Sequence, residues 1–167
     1  MKNPIPTSSP ETGGVLPAAQ IKRLFPDVEL PRPILSHAVG FDVAAYLVSE
    51  TGRHIQLLIP PRTSRRIPTG LAIIPPPGYY FQVCSRSGIA ASQPPVFVAN
   101  APGIIDPDYT GELQIILFNG GHESVYIKNG DRIAQIILTQ HIHFQFKETE
   151  TLPNTERGSR GFGSTGG

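Results

Sequence analysis

The stretch Arg132-Ile-Ala-Gln-Ile-Ile-Leu138 decides the fold, because it is apolar at nearly every position. A strand that is covered on both faces has this pattern, whereas a half-exposed strand alternates apolar and polar residues. In a small all-β domain the second covering layer can come from another subunit, or the strand can lie at the centre of one sandwich. The pattern alone fits both arrangements equally well.

Shorter strand-like runs recur on both sides of this stretch, and turn signals rich in Pro, Gly and Asn separate most of them. The predicted strands are Ile21–Leu24, Phe41–Tyr46, Ile55–Ile59, Gly70–Ile74, Tyr79–Cys84, Val96–Ala99, Leu113–Asn119, Ser124–Ile127, Arg132–Thr139 and His143–Phe146. One short helix is predicted within Ser87–Gln93, before Pro94. Because no stretch offers a long 3.6-residue amphipathic pattern, the predicted architecture is all-β, a compact barrel or sandwich.

The composition agrees with one all-β domain. The 167 residues include 18 Pro and 17 Gly, and only 16% are charged, which suits many short strands joined by turns. A formal net charge of +1 gives no strong field toward nucleic acid or a membrane, and a single cysteine excludes an internal disulfide bond. Since neither an apolar run of membrane-spanning length nor a signal-peptide core is found, the chain is expected inside the cell, in cytoplasm or nucleus.

Three segments are predicted from changes in composition: a disordered start over residues 1–20, a β-barrel domain over residues 21–147 and a C-terminal arm over residues 148–167. The basic run Arg62-Thr-Ser-Arg-Arg66 lies between prolines and is interpreted as a solvated loop, with an acidic partner or a targeting role as the alternative. Cys84 lies in an apolar run and is interpreted as a small buried side chain rather than a reactive thiol.

The last eleven residues, Arg157-Gly-Ser-Arg-Gly-Phe-Gly-Ser-Thr-Gly-Gly167, cannot build a packed core, since five of them are glycine. Glycine lets the backbone fold tightly around a small object, and arginine and hydroxyl groups suit phosphate oxygens. The lone Phe162 favours a flat partner such as a nucleotide base. The segment therefore predicts a flap that closes over a nucleotide, with a disordered linker or an expression scar as the alternative.

The segment Ile104-Ile-Asp-Pro-Asp-Tyr109 places two carboxylates and a tyrosine directly after an apolar pair. This pattern is typical of a hairpin with solvated acids. It also fits a carboxylate, Asp106, that lies at the mouth of a barrel and accepts a proton from water, with the ring of Tyr109 offered to a sugar.

Two further segments could bind anions. Ser85-Arg-Ser-Gly88 lies at a predicted strand-to-helix junction, where arginine and hydroxyl groups suit an anion; an ordinary serine N-cap with an exposed arginine is the alternative. Gly130-Asp-Arg-Ile-Ala-Gln135 opens the most apolar strand. Its Asp-Arg pair is interpreted as part of a turn, and the buried amide of Gln135 needs either a backbone or a ligand partner.

His141 and His143 alternate along the chain as two metal ligands could. No third histidine or cysteine stands at ligand spacing, so the two residues are interpreted as part of a surface strand.

Taken in order, five segments resemble the five motifs of the trimeric dUTP pyrophosphatase (dUTPase) family. The segments are His37-Ala-Val-Gly-Phe-Asp-Val43, Ser85-Arg-Ser-Gly88, Gly103-Ile-Ile-Asp-Pro-Asp-Tyr-Thr-Gly111, Gly130-Asp-Arg-Ile-Ala-Gln135 and Arg157–Gly166. One such motif alone would be weak, but five in the order of the family are specific. The resemblance extends from about Ile21 to the C-terminus.

The resemblance implies a jelly-roll-like β-barrel that assembles as a homotrimer. Each site would draw on more than one subunit, with residues 148–167 of a neighbouring chain as its lid. The implied reaction is the Mg²⁺-dependent hydrolysis of dUTP to dUMP and pyrophosphate, which keeps uracil out of DNA and supplies dUMP for dTMP synthesis. The triphosphate brings its own oxygen ligands, so the metal would need few protein carboxylates. Neither nucleic acid nor a membrane is implied as a partner.

The resemblance also implies a role for individual residues. Asp106 would activate the water that attacks the α-phosphorus, and Asp42 would support the water shell of the metal. Tyr109 would lie under the deoxyribose, and Phe162 would stack on the uracil that Asn100 helps to recognise. The remaining substrate-binding positions are Arg86, Ser87, Gly88, Gly103, Ile105, Gln135, Arg157, Gly163, Ser164 and Thr165.

Two positions depart from the pattern of the family. Ser85 replaces a common proline, and Arg160 stands where the fifth motif usually has glycine, which could add a phosphate contact or hinder closure of the tail. A dCTP deaminase-like enzyme is one alternative function, but it would need a catalytic glutamate, and none lies between Arg86 and Asn100. A non-catalytic regulatory module of the same fold is another, but it should lack Asp106 or the tail.

Overall fold

The computed structural model describes residues 17–33 and 37–161. This part of the chain contains eleven strands and one short helix, α1 (Ser87–Ala90). The strands are β1 (Gln20–Arg23), β2 (Phe41–Ala44), β3 (Gln56–Ile59), β4 (Ser64–Pro68), β5 (Leu71–Ile74), β6 (Tyr79–Cys84), β7 (Val96–Val98), β8 (Gly103–Ile105), β9 (Gln114–Asn119), β10 (Val125–Lys128) and β11 (Arg132–Gln140). The prediction of an all-β fold with one short helix is confirmed. Within these described ranges, no helix is long and apolar enough to cross a membrane.

Strand β11, which contains the stretch predicted to be covered on both faces, is an inner strand of a four-stranded sheet. The sheet has the order β2-β11-β6-β8, and β11 runs antiparallel to both of its neighbours. Ala134 and Ile136 are buried on one face of β11, whereas burial on the other face decreases from Ile133 to the half-buried Gln135 and Ile137. Within one chain, β11 is therefore a central strand whose second face is only partly covered.

The other strands form a three-stranded sheet, β4-β9-β7, and the pairs β1-β5 and β10-β3. Their inward residues supply the hydrophobic core, as the alternating burial along β9 and β5 shows. The largest fully buried side chains include Ile59, Ile67, Leu71, Leu113, Ile115, Leu117 and Ile133. Burial of each such side chain contributes roughly 1.5–3 kcal/mol, so this core fixes the sheets that position the site.

Strand β4 lies where the sequence predicts a solvated loop. Its residues pair with β9 over the full length of the strand, from Ser64 opposite Phe118 to Pro68 opposite Gln114. Ile67 is completely buried and anchors the strand, while Arg65 and Arg66 remain exposed. The run of charges therefore obscures a strand that one apolar residue holds in place.

Strand β8 is also absent from the sequence-based prediction. It forms because Gly103–Ile105 pairs with Phe81–Val83 of β6, which extends the main sheet by one short strand. At the end of β6, the free thiol of Cys84 is half-buried rather than fully buried.

The predicted strand over His143–Phe146 is wrong, since β11 ends at Gln140 and no strand follows it in the described residues. The apolar alternation that suggested a strand is present, but Ile142, Phe144 and Phe146 are 85%, 72% and 93% exposed. The rings of Phe144 and Phe146 contact each other edge to face, with centroids 5.0 Å apart. The segment thus has the pattern of a strand and finds no partner strand within the described part of its own chain.

Candidate active site

Arg86 is held by an ion pair and by a backbone contact. It follows β6 as the extended N-cap residue of α1, and no side chain caps this helix. Its Nε donates to Asp42 Oδ1 at 2.8 Å, and its Nη1 donates to the carbonyl oxygen of Arg132 at 2.8 Å. The alternative of a serine N-cap with an exposed arginine is therefore wrong, because Arg86 is ordered by its neighbours and only 19% exposed.

Asp42 also forms an ion pair with a second arginine, Arg132 at the start of β11. Arg132 Nη1 donates to Asp42 Oδ2 at 3.2 Å, so each oxygen of this carboxylate accepts from a different guanidinium group. The side chain of Asp42 is 12% exposed and that of Arg132 is 54% exposed. We call Asp42, Arg86 and Arg132 the arginine cluster.

Gln135 lies beside the arginine cluster and is opposite both Asp42 and Cys84 in the sheet. Its Nε2 donates to the carbonyl oxygen of Ser85 at 3.0 Å, so the backbone, and not only a ligand, can satisfy this amide. Gly40 is packed against the side-chain oxygen of Gln135, where a Cβ would collide with it. Any larger residue at Gly40 would displace the amide.

Ser87 and Gly88 begin α1, and both are exposed. A Cβ at Gly88 would meet no described atom within 4 Å, so packing inside the chain does not require glycine at this position. The Ser85 hydroxyl is used internally, since it accepts from the Val98 amide at 2.9 Å.

A second set of predicted residues lies around β8 and the loop that follows it. The amide nitrogen of Asn100 lies close to Gly103, where a Cβ would be 3.1 Å away, and Ile105 is half-buried. Asp106 is exposed, and its carbonyl oxygen accepts from the Tyr109 amide at 3.2 Å. We call residues 106–112 the Asp106 loop.

Tyr109 closes the Asp106 loop. Its hydroxyl donates to the carbonyl oxygen of Glu112 at 2.8 Å, and a Cβ at Gly111 would lie 2.7 Å from that hydroxyl oxygen. The carboxylate of Glu112 in turn accepts from the Gly70 amide at 2.8 Å. The ring of Tyr109 is therefore fixed in place while 45% of the residue remains exposed.

Asp106 lines a groove of about 840 Å³. Its lining includes Ile104, Asp108, Tyr80, His141 and His143. The two histidine rings contact each other with centroids 4.5 Å apart, so the structure places them near the predicted base rather than on a surface strand. The described residues hold no group of three or more His, Cys, Asp or Glu side chains that could bind a metal ion.

The arginine cluster and Asp106 lie at opposite ends of β6. Ile105 is paired with Phe81, so Asp106 lies beside Tyr80, six residues before Arg86. Six residues of extended chain span roughly 20 Å. One chain therefore brings Asp42, Arg86, Ser87 and Gln135 together and keeps Asp106 and Tyr109 apart from them.

The predicted lid is described only at its beginning. Arg157 is exposed, and its Nε donates to the carbonyl oxygen of Arg160 at 3.0 Å, while Arg160 Nε donates back to that of Arg157 at 3.0 Å. This reciprocal pair joins a tight turn at Gly158, whose φ is +57°. The other predicted lid residues, Phe162, Gly163, Ser164 and Thr165, lie outside the described residues.

From the sequence, Arg132 was interpreted as part of a turn, but in the structure it belongs to the arginine cluster. Its neighbour Asp131 does close a turn, because its carboxylate accepts from the Lys128 amide at 2.8 Å. Arg132 turns toward Asp42 instead. The only signal in the sequence was its position inside the segment Gly130–Gln135.

Comparison with known proteins identifies the family. The dUTPase family model matches residues 27–166, which include all of these site residues. The chain belongs to the dUTPase family. It is 41% identical over 138 residues to the deoxyuridine 5'-triphosphate nucleotidohydrolase of Rickettsia bellii strain OSU 85-389, which covers 83% of this chain and 87% of that protein.

Solved dUTPase structures share the fold. A mutant dUTPase of Staphylococcus bacteriophage 80alpha with dUpNHpp superposes with a TM-score of 0.76 and 23% identity, over 89% of this chain and 98% of that one. A mutant dUTPase from phage phi11 of S. aureus, in which a structural Mg(II) ion is coordinated, gives a TM-score of 0.69 and 19% identity, over 82% and 99%. At these identities the likeness supports the jelly-roll-like β-barrel expected of the family.

Proposed function

We propose that this protein hydrolyses dUTP to dUMP and pyrophosphate, and so keeps uracil out of DNA and supplies dUMP for dTMP synthesis. The observation that carries the proposal is the dUTPase family match over residues 27–166, which spans Asp106, the arginine cluster and most of the C-terminal tail. The bacterial relative at 41% identity is named a deoxyuridine 5'-triphosphate nucleotidohydrolase, a name that states the same activity.

Asp106 is the proposed general base. Its carboxylate is exposed at the groove, and the backbone bond from Tyr109 fixes the turn that carries it. A carboxylate held in this way can take a proton from water while the oxygen attacks the α-phosphorus and the bond to the pyrophosphate leaving group breaks. General base catalysis of this kind contributes about 10²–10⁴-fold to the rate.

The Asp106 loop is proposed to select the deoxynucleoside. The ring of Tyr109 is locked by its bond to Glu112 and by its packing on Gly111, so it forms a rigid floor for the sugar. A ribose 2'-hydroxyl would have to displace this ring. Gly103 and Ile105 of β8 are proposed to contact the substrate, and Asn100, which precedes β8, is proposed to help recognise the uracil edge.

The phosphates are proposed to bind beside the arginine cluster. Ser87 is exposed at the start of α1, and the side-chain amide of Gln135 donates to the carbonyl oxygen of Ser85, two residues before Ser87. Hydroxyl, amide and guanidinium groups placed around a triphosphate stabilise the charge that develops as the bond breaks. Arg86 supplies the fixed positive charge and Gly88 leaves the space open.

A site of this kind requires more than one copy of the chain. The base must contact the water that attacks the α-phosphorus while Ser87 and Gln135 hold oxygens on either side of the scissile bond. Within one chain, however, roughly 20 Å of β6 separates these groups. We propose a homotrimer in which Asp106 of one copy faces the arginine cluster of the next. The exposed apolar residues of the segment after β11, Ile142, Phe144 and Phe146, are proposed to be covered by that neighbour.

The lid of each site is proposed to come from the tail. Arg157, Phe162, Gly163, Ser164 and Thr165 would fold over the bound nucleotide, with the arginine and hydroxyl groups on the phosphates and the ring on the uracil. Closure of such a segment excludes water other than the attacking one and completes the charge around the phosphates.

Mg²⁺ fits this site only as a companion of the substrate. The described residues offer no cluster of three ligating side chains, so the metal is proposed to be held by the triphosphate and by water. When bound, it supplies charge neutralisation on the phosphate oxygens. The carboxylate of Asp42 is proposed to support the water shell of the metal.

The test is a pyrophosphate-release assay on the full chain with Mg²⁺ and with dUTP, dCTP, dTTP and UTP in parallel. The proposal expects release from dUTP and at most traces from the other three nucleotides. Equal release from dUTP and dCTP would contradict it, and ammonia release from dCTP would favour a deaminase, for which the sequence provides no glutamate between Arg86 and Asn100.

A further inference from the structure

We infer that Glu112 is a positioning residue, which ties the end of the Asp106 loop to the hydrophobic core and so holds the ring of Tyr109 where it excludes a ribose. The inference rests on the proposed function, because it concerns how the same site selects its sugar. Glu112 acts through Tyr109 and is assigned no contact with the substrate.

The anchor for Glu112 is the turn between β4 and β5, at Thr69 and Gly70. Thr69 is 2% exposed, and Gly70 is buried with a φ of +66°. A Cβ on Gly70 would collide with the side chain of Val28, which belongs to the hydrophobic core. A backbone enclosed in this way cannot shift unless the core moves with it, so the Gly70 amide is a fixed donor.

The side chain of Glu112 reaches this donor from the end of the Asp106 loop. Its Oε1 accepts from the Gly70 amide at 2.8 Å, across 42 positions of the sequence. Its Oε2 accepts from Gln114 Nε2 at 3.3 Å, so both oxygens are engaged. Because Gly70 is buried, its amide needs an acceptor from the protein, and Glu112 supplies it.

The backbone of the same residue supports the ring of Tyr109. The tyrosine hydroxyl donates to the carbonyl oxygen of Glu112 at 2.8 Å, and the ring packs on Gly111, where a Cβ would lie 2.7 Å from the hydroxyl oxygen. Both supports of the ring are therefore the last two residues of the Asp106 loop. A shift of the backbone at Gly111 and Glu112 would carry the ring with it.

The chain after Glu112 is anchored without its side chain. Leu113 is 1% exposed, its amide donates to the Leu71 carbonyl oxygen at 2.7 Å, and its own carbonyl oxygen accepts from the Thr69 hydroxyl at 2.6 Å. The approach to β9 thus stays in place when the carboxylate is removed. What the carboxylate adds is a fixed direction for the residue that joins this anchored chain to the loop.

Loss of the anchor should therefore appear as a loss of sugar selection. A ring on a loosened backbone can move aside for a 2'-hydroxyl, which raises the rate with UTP relative to the rate with dUTP. A loss of stability alone lowers the amount of folded protein and reduces both rates by the same factor. The ratio of kcat/KM for dUTP over UTP separates the two effects.

This ratio is measured by pyrophosphate release on the full chain with Mg²⁺. Glu112→Ala is expected to lower it about threefold to tenfold, which corresponds to the loss of one hydrogen bond. Glu112→Asp keeps the charge but is one methylene shorter, so it should lose the bond to Gly70 and lower the ratio by a similar factor. A wild-type ratio in both variants would overturn the inference.

Glu112→Gln is the conservative rescue, because it keeps the length and an acceptor oxygen for the Gly70 amide. Its ratio should stay within about twofold of the wild type, since a neutral acceptor still makes the bond. A low ratio in Glu112→Gln together with a wild-type ratio in Glu112→Asp would assign the effect to charge and would overturn the inference.

Thr69→Val is the matched control for stability. It removes the buried hydroxyl that donates to Leu113 from the same junction, but it leaves the Glu112 carboxylate on the Gly70 amide. The unfolding temperature should fall, while the ratio should stay within about twofold of the wild type. A fall in the ratio as large as that of Glu112→Ala would show that any loosening of this junction suffices, which would overturn the specific role of Glu112.

Combination with Tyr109→Ala tests whether Glu112 acts through the ring. In that background Glu112→Ala should change the ratio by no more than about twofold, because no ring is left to position. A further fall as large as in the wild-type background would overturn the inference, and Glu112→Asp replaces Glu112→Ala if the latter does not fold. A wild type that releases no pyrophosphate from dUTP would overturn the proposed function together with this inference. A wild type that prefers dUTP and keeps its preference in Glu112→Ala and Glu112→Asp would overturn this inference alone.

Discussion

The arginine cluster and the Asp106 loop differ in how completely one chain finishes them. In the cluster, charged side chains pair with each other at 2.8–3.2 Å and are anchored to three strands of one sheet. In the loop, Asp106 is exposed, and the bonds that fix the turn run through backbone groups and Tyr109. Under the proposed function, the phosphate side is already ordered within one chain, while the exposed Asp106 side is completed by a second copy. The proposal therefore assigns two halves of different sites to each chain.

Removal of the Asp106 carboxylate tests the outward-facing half most severely. Asp106→Asn should lower kcat by about 10²–10⁴-fold, because the amide cannot take the proton of water. Binding of a non-hydrolysable α,β-imido analogue of dUTP should be retained, since the arginine cluster is untouched. Steady-state kinetics together with calorimetry measures both effects.

Asp108→Asn serves as the control for that substitution. Asp108 is exposed in the same groove, and its loss changes the charge of the loop equally. It should keep activity within a few-fold of the wild type. If both variants were equally inactive, the charge of the loop, and not the base at Asp106, would explain the result.

The exposed segment after β11 tests whether the outward-facing regions meet another copy. Phe146 is 93% exposed in one chain, and its burial at a neighbour would contribute roughly 1.5–3 kcal/mol per subunit. Phe146→Ser should therefore shift the protein toward monomers at low concentration in sedimentation equilibrium. Thr149→Ser, three residues further along, is a mild control, and equal assembly of the wild type and Phe146→Ser would show that the neighbour does not cover this ring.

Tyr109 tests whether the rigid floor of the Asp106 loop selects the sugar. Tyr109→Ala removes the ring that the Glu112 carbonyl and Gly111 hold in place. The kcat/KM ratio of dUTP over UTP should fall about tenfold or more, because a steric contact of this kind discriminates in that range. Tyr109→Phe keeps the ring and should keep most of the preference. An unchanged ratio in Tyr109→Ala would place sugar selection elsewhere.

The smallest expected effect concerns stability far from the site. The pKa of Tyr46 is raised above its ordinary value of 10.0, chiefly because burial disfavours the phenolate, and also because its hydroxyl donates to the Asp27 carboxylate at 2.8 Å. A raised pKa means that the stabilisation is complete below pH 10.0 and is lost as the pH rises through the folded-state value.

The difference in thermal unfolding temperature between wild type and Tyr46→Phe should therefore be small at pH 8 and should narrow further above pH 10.0. A difference that grows with rising pH would contradict this sign. Activity at pH 8 should be unaffected, which separates this pair from both halves of the site.

Local patterns in the sequence predicted most of the fold. The bounds of β6 agree fully with the prediction, because the turn Pro75–Gly78 precedes it and Ser85 with Arg86 follows it. Strand β4 was missed because its charged residues outweigh a single anchor, Ile67. The segment after Gln140 has a strand pattern without a partner in its own chain, and pattern alone cannot tell where a partner lies.

The residues of the candidate site were named from the sequence and stay a prediction, whereas their arrangement could not be predicted from it. The pairing of Asp42 with Arg132 joins residues 90 positions apart, and the pairing with Arg86 joins residues 44 positions apart. No short-range pattern carries such contacts. The separation of Asp106 from Ser87 along β6 likewise follows from the register of β8, a three-residue strand too short to predict.

Complementation between two inactive variants tests most directly whether one working site is shared by two copies. Asp106→Asn and Arg86→Ala carry different affinity tags, are co-expressed, and mixed oligomers are isolated by both tags in succession. In a cyclic trimer that contains both variants, one site in three pairs an intact Asp106 with an intact Arg86 of the neighbour, so dUTP hydrolysis should recover to about a third of the wild-type rate. Mixed oligomers that remain as inactive as either variant alone would contradict the shared site.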